Sequence, residues 1–180
     1  WPRRYEGETI RPWAAEDDRG FLSFFRSHIR KIIAVRRANG GDHSRYLSKN
    51  NGNIARTEAL LNYFPDGMIV VPFRDPVQQA ASLLQQHRNF LSLHVADDFA
   101  RRYMLAIGHY DFGDNLKPID FDGWVSGSPS DDAHHLSFWL RYWVHAYQHL
   151  AERATPRHVW VSYETLCAEP ASELSRIGRE

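Results

Sequence analysis

Residues 68–82 read MIVVPFRDPVQQAAS, and the reading of the whole chain turns on them. Met68 to Phe73 is apolar at consecutive positions instead of alternate ones, the pattern of a strand covered on both faces in a parallel sheet. Pro72 has no N–H to give a ladder, so it belongs near the end of that strand. Asp75 is placed to cap a helix and Pro76 to occupy its first turn, which predicts a helix running to about Arg88. Arg74 therefore stands at the mouth of a buried strand, and Ser82 follows eight residues later. In open α/β sheets, ligands gather beyond the carboxyl ends of the strands. Ser82 lies roughly 9 Å along the helix from Pro76, at about 1.5 Å per residue, too far to share the first-turn amides. The residues alone leave two readings open. One is a capped turn with a solvated arginine; the other is an anion beside the helix, held by a guanidinium fork and a hydroxyl.

Working outward, Ala14 to Ala38 carries Phe21, Phe24, Phe25, His28, Ile29, Ile32 and Ile33 at the spacing of one helical face, and Asn39-Gly40-Gly41 ends it. Arg45–Ser48 is a short strand candidate. Asn53 is the expected cap of a helix through Tyr63. His94 to Ile107 predicts a further helix, with Asp97-Asp98 read as acids complementing a helix start, as Asp17-Asp18 are near the first helix. Residues 110–130 are rich in Gly, Pro, Asp and Ser, with Phe112, Phe121 and Trp124 expected on the surface of a functional loop, as a lid or acceptor wall. An aromatic helix is predicted over Ala133–Arg153, a second strand over His158–Tyr163, and a final helix over Glu164–Ile177 interrupted near Pro170. Strand and helix alternate with long crossovers, so the expected class is α/β with a parallel sheet, right-handed at each crossover.

Composition sets the outer limits. With 180 residues, 43% of them hydrophobic, the chain is long enough for one domain with a core. Its formal net charge of +0 gives no global argument for nucleic acid or an anionic membrane. Of the 22 basic residues three are lysines (Lys31, Lys49, Lys117), and the arginine excess fits either anion recognition or codon usage. A single cysteine, Cys167, excludes an internal disulfide and is compatible with a cytoplasmic location. No apolar run approaches the length of a membrane span.

Two blocks carry a family resemblance. KNNGNIARTEALLNYFPDGMIVVPFRDPVQQAASLLQQH (Lys49 to His87) closely resembles the central segment of PAPS-dependent sulfotransferases, bacterial ones in particular. VWVSYETLCAEPASELSRI (Val159 to Ile177) is similar to the later strand and Tyr-Glu stretch of the same family, in the same order and at a fitting separation. The resemblance implies a P-loop NTPase-like fold: three or more parallel strands flanked by helices, within a single domain over residues 1–180 that forms the central and C-terminal portion of the family's domain. It implies transfer of a sulfuryl group from PAPS to a hydroxyl or amine of a small-molecule or carbohydrate acceptor, releasing adenosine 3',5'-bisphosphate without a metal. Residue by residue, Arg74 and Ser82 match the pair that holds the 3'-phosphate of the nucleotide, and Tyr163 matches the tyrosine near the adenine. Lys49 matches the lysine near the transferring group, where a compact ammonium can neutralise developing charge.

The chain also departs from the family. Asn51 stands where cytosolic members place a histidine base, and an amide cannot take a proton from a hydroxyl at neutral pH. His43 and His87 are substitutes by proximity in sequence alone. The loop that cradles the phosphosulfate has no equivalent, since Gly40–Ser44 lacks a basic residue before a helix-opening hydroxyl. The sequence thus reads as the middle of a sulfotransferase, with segments expected before Trp1 and after Glu180. A non-catalytic nucleotide-binding relative and a P-loop phosphotransferase using Mg²⁺ remain as alternatives. His145 and His149 share a helix face at a spacing that can hold zinc, with no third ligand evident even counting His134-His135. The Trp139, Trp143 and Tyr147 stripe is either core or the lining of an acceptor cleft.

Overall fold

The computed structural model of the chain describes residues 4–6, 8–13, 19–40, 45–127 and 132–178. Two short strands, β1 (Arg4–Glu6) and β2 (Thr9–Arg11), pair antiparallel ahead of a long helix, α1 (Arg19–Ala38). A 3-10 helix over Asn51–Arg56 runs into α2 (Thr57–Tyr63), and β3 (Ile69–Phe73) follows. Next come α3 (Pro76–Ala96), α4 (Asp98–Ala106), α5 (Leu136–Glu152), β4 (His158–Ser162), α6 (Tyr163–Ala168) and α7 (Pro170–Ile177). No helix among the described residues is long and apolar enough to cross a membrane.

The class is mixed α/β with the expected parallel pairing, but β3 is not covered on both faces as its apolar run suggested: Val71 is 5% exposed, whereas Val70 is 42% exposed, because its far face meets little packing. β3 and β4 lie side by side from Ile69 opposite His158 to Phe73 opposite Ser162. The described sheet has these two parallel strands, not the three or more expected. Arg45–Ser48 is not a strand: among the described residues its backbone joins no ladder, Leu47 is 91% exposed, and Arg45 reaches across to the Asp66 carbonyl. Pro72 is tolerated within β3 because, among the described residues, one edge of that strand has no strand partner.

Helix boundaries shift where capping chemistry overrides the apolar pattern. Asn50, not Asn53, caps the segment before α2, its side chain accepting the Gly52 N–H at 2.8 Å. Asp75 caps α3 by accepting the Gln78 N–H at 2.9 Å, with Pro76 in the first turn. That helix does not stop at Arg88; it continues to Ala96, and Asp97 then caps α4 by accepting the Ala100 N–H. His94 accordingly ends one helix instead of opening the next. Ser162 caps α6 through the Thr165 N–H. Asp17-Asp18 lie outside the described residues.

The core sits where α3 and α5 pack on residues 110–124. Residues 110–124 are packed into the core and not laid over the surface: Phe121 is 0% exposed and Trp124 5%, against the surface positions their composition suggested. Ile119 bridges to Ile10 of β2, and the Trp124 indole donates to the Ile119 carbonyl at 2.9 Å, so the loop is bound at both its backbone and its rings. A second cluster joins Trp13, Ala59 and Tyr63 to Phe21 and Leu22 of α1. Phe24 and His28, on the same predicted apolar face, are exposed instead and stack on each other. Arg157, entering β4, donates to the Leu61, Phe64 and Pro65 carbonyls, satisfying the end of α2 and fixing that helix against the sheet.

Candidate functional site

The carboxyl ends of β3 and β4 put the two sequence blocks side by side. Phe73 opposes Ser162, so the next residues, Arg74 and Tyr163, emerge together at one sheet edge. The Arg74 guanidinium carbon lies 4.9 Å from the centre of the Tyr163 ring, within cation–π range. Hydrogen bonding to Cys167 holds the Tyr163 phenol above its ordinary value, and the nearby Arg74 charge acts in the opposite sense.

Glu164 closes the edge from the other strand. One carboxylate oxygen accepts the Asp75 N–H at 2.9 Å and the other the Ser162 hydroxyl at 3.0 Å. The Asp75 amide is the main reason its carboxyl sits below the usual range, with Arg74 adding a smaller pull. The turn that carries Arg74 is thereby tied to α6.

Arg74 Nη2 donates to Gln78 Oε1 at 2.8 Å. Residues four apart on a helix share a face, so Gln78 and Ser82 form a row on α3 that begins at the Arg74 guanidinium. Ser82 is exposed one turn beyond Gln78. The other guanidinium contact is missing: Arg74 Nε is buried and has no hydrogen-bond partner. Buried donors in folded proteins are almost always paired, so Arg74 Nε is an unsatisfied donor at the carboxyl edge of the sheet.

Chain comparisons add no relative. No family model, curated protein or solved structure matches this sequence. The site therefore rests on its residues and their geometry.

Lys49 is exposed on the segment before the Asn51–Arg56 turn, and among the described residues no hydrogen bond or ion pair joins it to Arg74, Ser82 or Tyr163. Asn51, two residues on, turns its amide to Asp111 Oδ2 at 3.1 Å. His87 is not a surface base. It is 3% exposed and its Nδ1 accepts the Gly113 N–H, which makes it a core residue that positions residues 110–117. Burial, followed by the nearby His134, holds its imidazole below the ordinary value. His43 lies outside the described residues. His149 is buried with Nδ1 3.4 Å from Asp122, while His145 stacks on Trp124; among the described residues no trio of potential ligands gathers for a metal.

Beside the sheet edge lies a cavity of about 290 Å³. Its walls include Leu83 of α3, Tyr142 and Trp143 of α5, and Phe112 from the connecting segment, with Asp111 and Lys117 at polar positions. Trp143 donates to Gln79 at 3.1 Å, and the Tyr147 hydroxyl donates to the Pro72 carbonyl at 2.8 Å, so the cavity reaches the end of β3. The sequence suggested this aromatic lining but not Asp111, Gln78 or Glu164. Gln78 was within reach, lying four residues past Arg74. Asp111 was not, because the Asn51 contact joins residues sixty apart.

Proposed function

We propose that the chain carries the nucleotide grip of a PAPS-dependent sulfotransferase, moving a sulfuryl group from PAPS to an acceptor hydroxyl or amine and releasing adenosine 3',5'-bisphosphate. The observation that carries this reading is the meeting of Arg74 and Tyr163 at the carboxyl ends of β3 and β4, with Ser82 exposed one turn beyond Gln78 on the row that starts at Arg74. In this account the Arg74 fork and the Ser82 hydroxyl hold the 3'-phosphate, and Gln78 and the Tyr163 face keep the guanidinium planar to it. Tyr163 also offers a ring on which the adenine stacks. Lys49 carries the ammonium that meets charge developing on the leaving phosphate. The fold that this reading expects is the P-loop NTPase-like one, and the parallel pairing of β3 with β4 among the described residues supports it. A metal has no part in it.

Radiolabelled PAPS, incubated with the full-length protein and a panel of hydroxyl and amine acceptors, tests the reading. Label passing to an acceptor, undiminished by a chelator, supports it. Transfer that needs Mg²⁺ would favour phosphoryl chemistry instead. A protein that binds the nucleotide yet labels nothing would be the non-catalytic relative.

A further inference from the structure

A second cavity, of about 380 Å³, shares Arg11, Trp13 and Arg56 with the first but has neither Arg74 nor Ser82 in its walls. Its size is that of a small-molecule site, and the nucleotide grip makes no use of it. What sets it apart is charge of both signs. Three arginines (Arg11, Arg56, Arg153) and three carboxylates (Glu58, Asp120, Asp122) line it, so its formal charge is zero, counting histidine as neutral. A ligand of one sign would meet as much repulsion as attraction there. A small ligand carrying both signs can answer both.

The positive end comes from β2 and the turn before α2. Arg56 is 4% exposed, and its Nε and Nη2 donate to Asn53 Oδ1 and Asn50 Oδ1, each at 3.1 Å. Those amide oxygens are neutral, so they orient the fork and subtract nothing from its charge. Arg11, at the end of β2, is exposed. A guanidinium presents planar N–H groups in the geometry that a carboxylate accepts best.

The negative end is Asp122. Its φ of 55° lies in the left-handed region, where a residue with a side chain is uncommon, and Gly123 follows at 81°. The carboxylate has two partners, His149 Nδ1 and Arg153 Nη2, each at 3.4 Å. Charge-assisted hydrogen bonds are shorter, about 2.7–2.9 Å, and a carboxylate has about four acceptor positions. Asp122 is thus loosely held, its side chain 54% exposed, with room to accept an ammonium. Asp120 is not comparable, because it already accepts the Val125 N–H at 2.8 Å and the Ser126 hydroxyl at 3.0 Å. Trp13, Pro12 and Ala55 complete the wall with apolar surface.

We infer that this cavity binds a free amino acid with an apolar side chain, its carboxylate on Arg56 and Arg11 and its ammonium on Asp122. The inference stands independently of the sulfotransferase reading.

L-Phenylalanine tests it by calorimetry on the full-length protein, beside two compounds that each lack one charge. One is 3-phenylpropanoate, without the ammonium; the other is 2-phenylethylamine, without the carboxylate. The amino acid should bind more tightly than either by roughly tenfold to a hundredfold, the difference made by one hydrogen bond to a charged group. Asp122→Asn keeps the side chain's shape, and asparagine accepts a left-handed backbone, so the fold is retained. That variant should erase the preference over phenylpropanoate and keep the preference over phenylethylamine. Arg11→Gln, on an exposed strand end, should narrow the preference over phenylethylamine and keep the other. No binding of L-phenylalanine, equal affinity for the three compounds, or preferences that neither variant changes would overturn the inference. Adenosine 3',5'-bisphosphate is titrated separately, and its binding or failure to bind leaves this result untouched.

Discussion

Replacing Gly113 with alanine probes the packing that shapes the cavity wall. Gly113 has φ of 70°, in the left-handed region, and a methyl there would lie 2.6 Å from His94 Cε1, 2.7 Å from its Nδ1 and 3.0 Å from Phe90 Cβ. The left-handed backbone alone costs a non-glycine residue about 1–2 kcal/mol. The imidazole cannot retreat freely, because His94 is 4% exposed and its Nδ1 accepts the Asp114 N–H. Overpacking of a filled site adds about 1–3 kcal/mol, and a weakened amide–imidazole bond adds about 1 kcal/mol more. The expected loss is about 4 kcal/mol, a fall in melting temperature of roughly 12 °C for a chain of this size. Gly123→Ala is the internal control. It shares a positive φ, 81°, but its nearest neighbour is Ser126 Oγ at 3.8 Å. Only the backbone cost applies there, about 1 kcal/mol and roughly 3 °C. Melting curves followed by far-ultraviolet circular dichroism compare the two. Equal shifts would refute the claim that His94 and Phe90 are packed immovably against residue 113.

Three further outcomes are expected. His87 is held neutral in the fold, so its contribution to stability should be complete above the unfolded value of about 6.5 and should be lost as pH falls below it toward the depressed folded value. His158 shifts the same way, mainly by burial. Urea midpoints should therefore drop between pH 7.5 and 5.5, and a flat profile would contradict the buried neutral state of both. Arg157→Ala removes a donor group shared by three carbonyls at the end of α2, and should lower stability by about 2 kcal/mol by urea unfolding. A loss within the noise would mean that water replaces those contacts at no cost. Tyr147→Phe deletes the hydroxyl that reaches Pro72, and should cost about 1 kcal/mol while leaving nucleotide affinity intact.

The strand–turn–helix from Ile69 to the first turns of α3 was legible because each of its signals is local. A continuous apolar run, a capping Asp75 and a first-turn Pro76 each act within a few residues of where they stand. Local signals failed where distant partners decide. Phe121 and Trp124 sit among Gly and Asp, yet their burial is fixed by Tyr142 and Phe138 on a helix still to come in the chain. Arg45–Ser48 has the residue types of a strand but no described ladder to join. The β1–β2 hairpin, with three-residue strands, is too short to show a period. In the site, Arg74 could be read from its place after the strand, and its meeting with Tyr163 from the order of the two blocks. Asp111 could not, since nothing in its own neighbourhood announces Asn51.

The central claim is that the Arg74 guanidinium and the Ser82 hydroxyl share one phosphate at the sheet edge. Calorimetric titration of the full-length protein with adenosine 3',5'-bisphosphate, and with the 5'-monophosphate that lacks the second phosphate, measures it directly. The bisphosphate should bind roughly tenfold to a hundredfold more tightly, the range of one to two charge-assisted hydrogen bonds. Arg74→Ala should abolish that preference, and Ser82→Ala should reduce it. Equal affinity for the two nucleotides, or a preference that survives Arg74→Ala, would contradict the account.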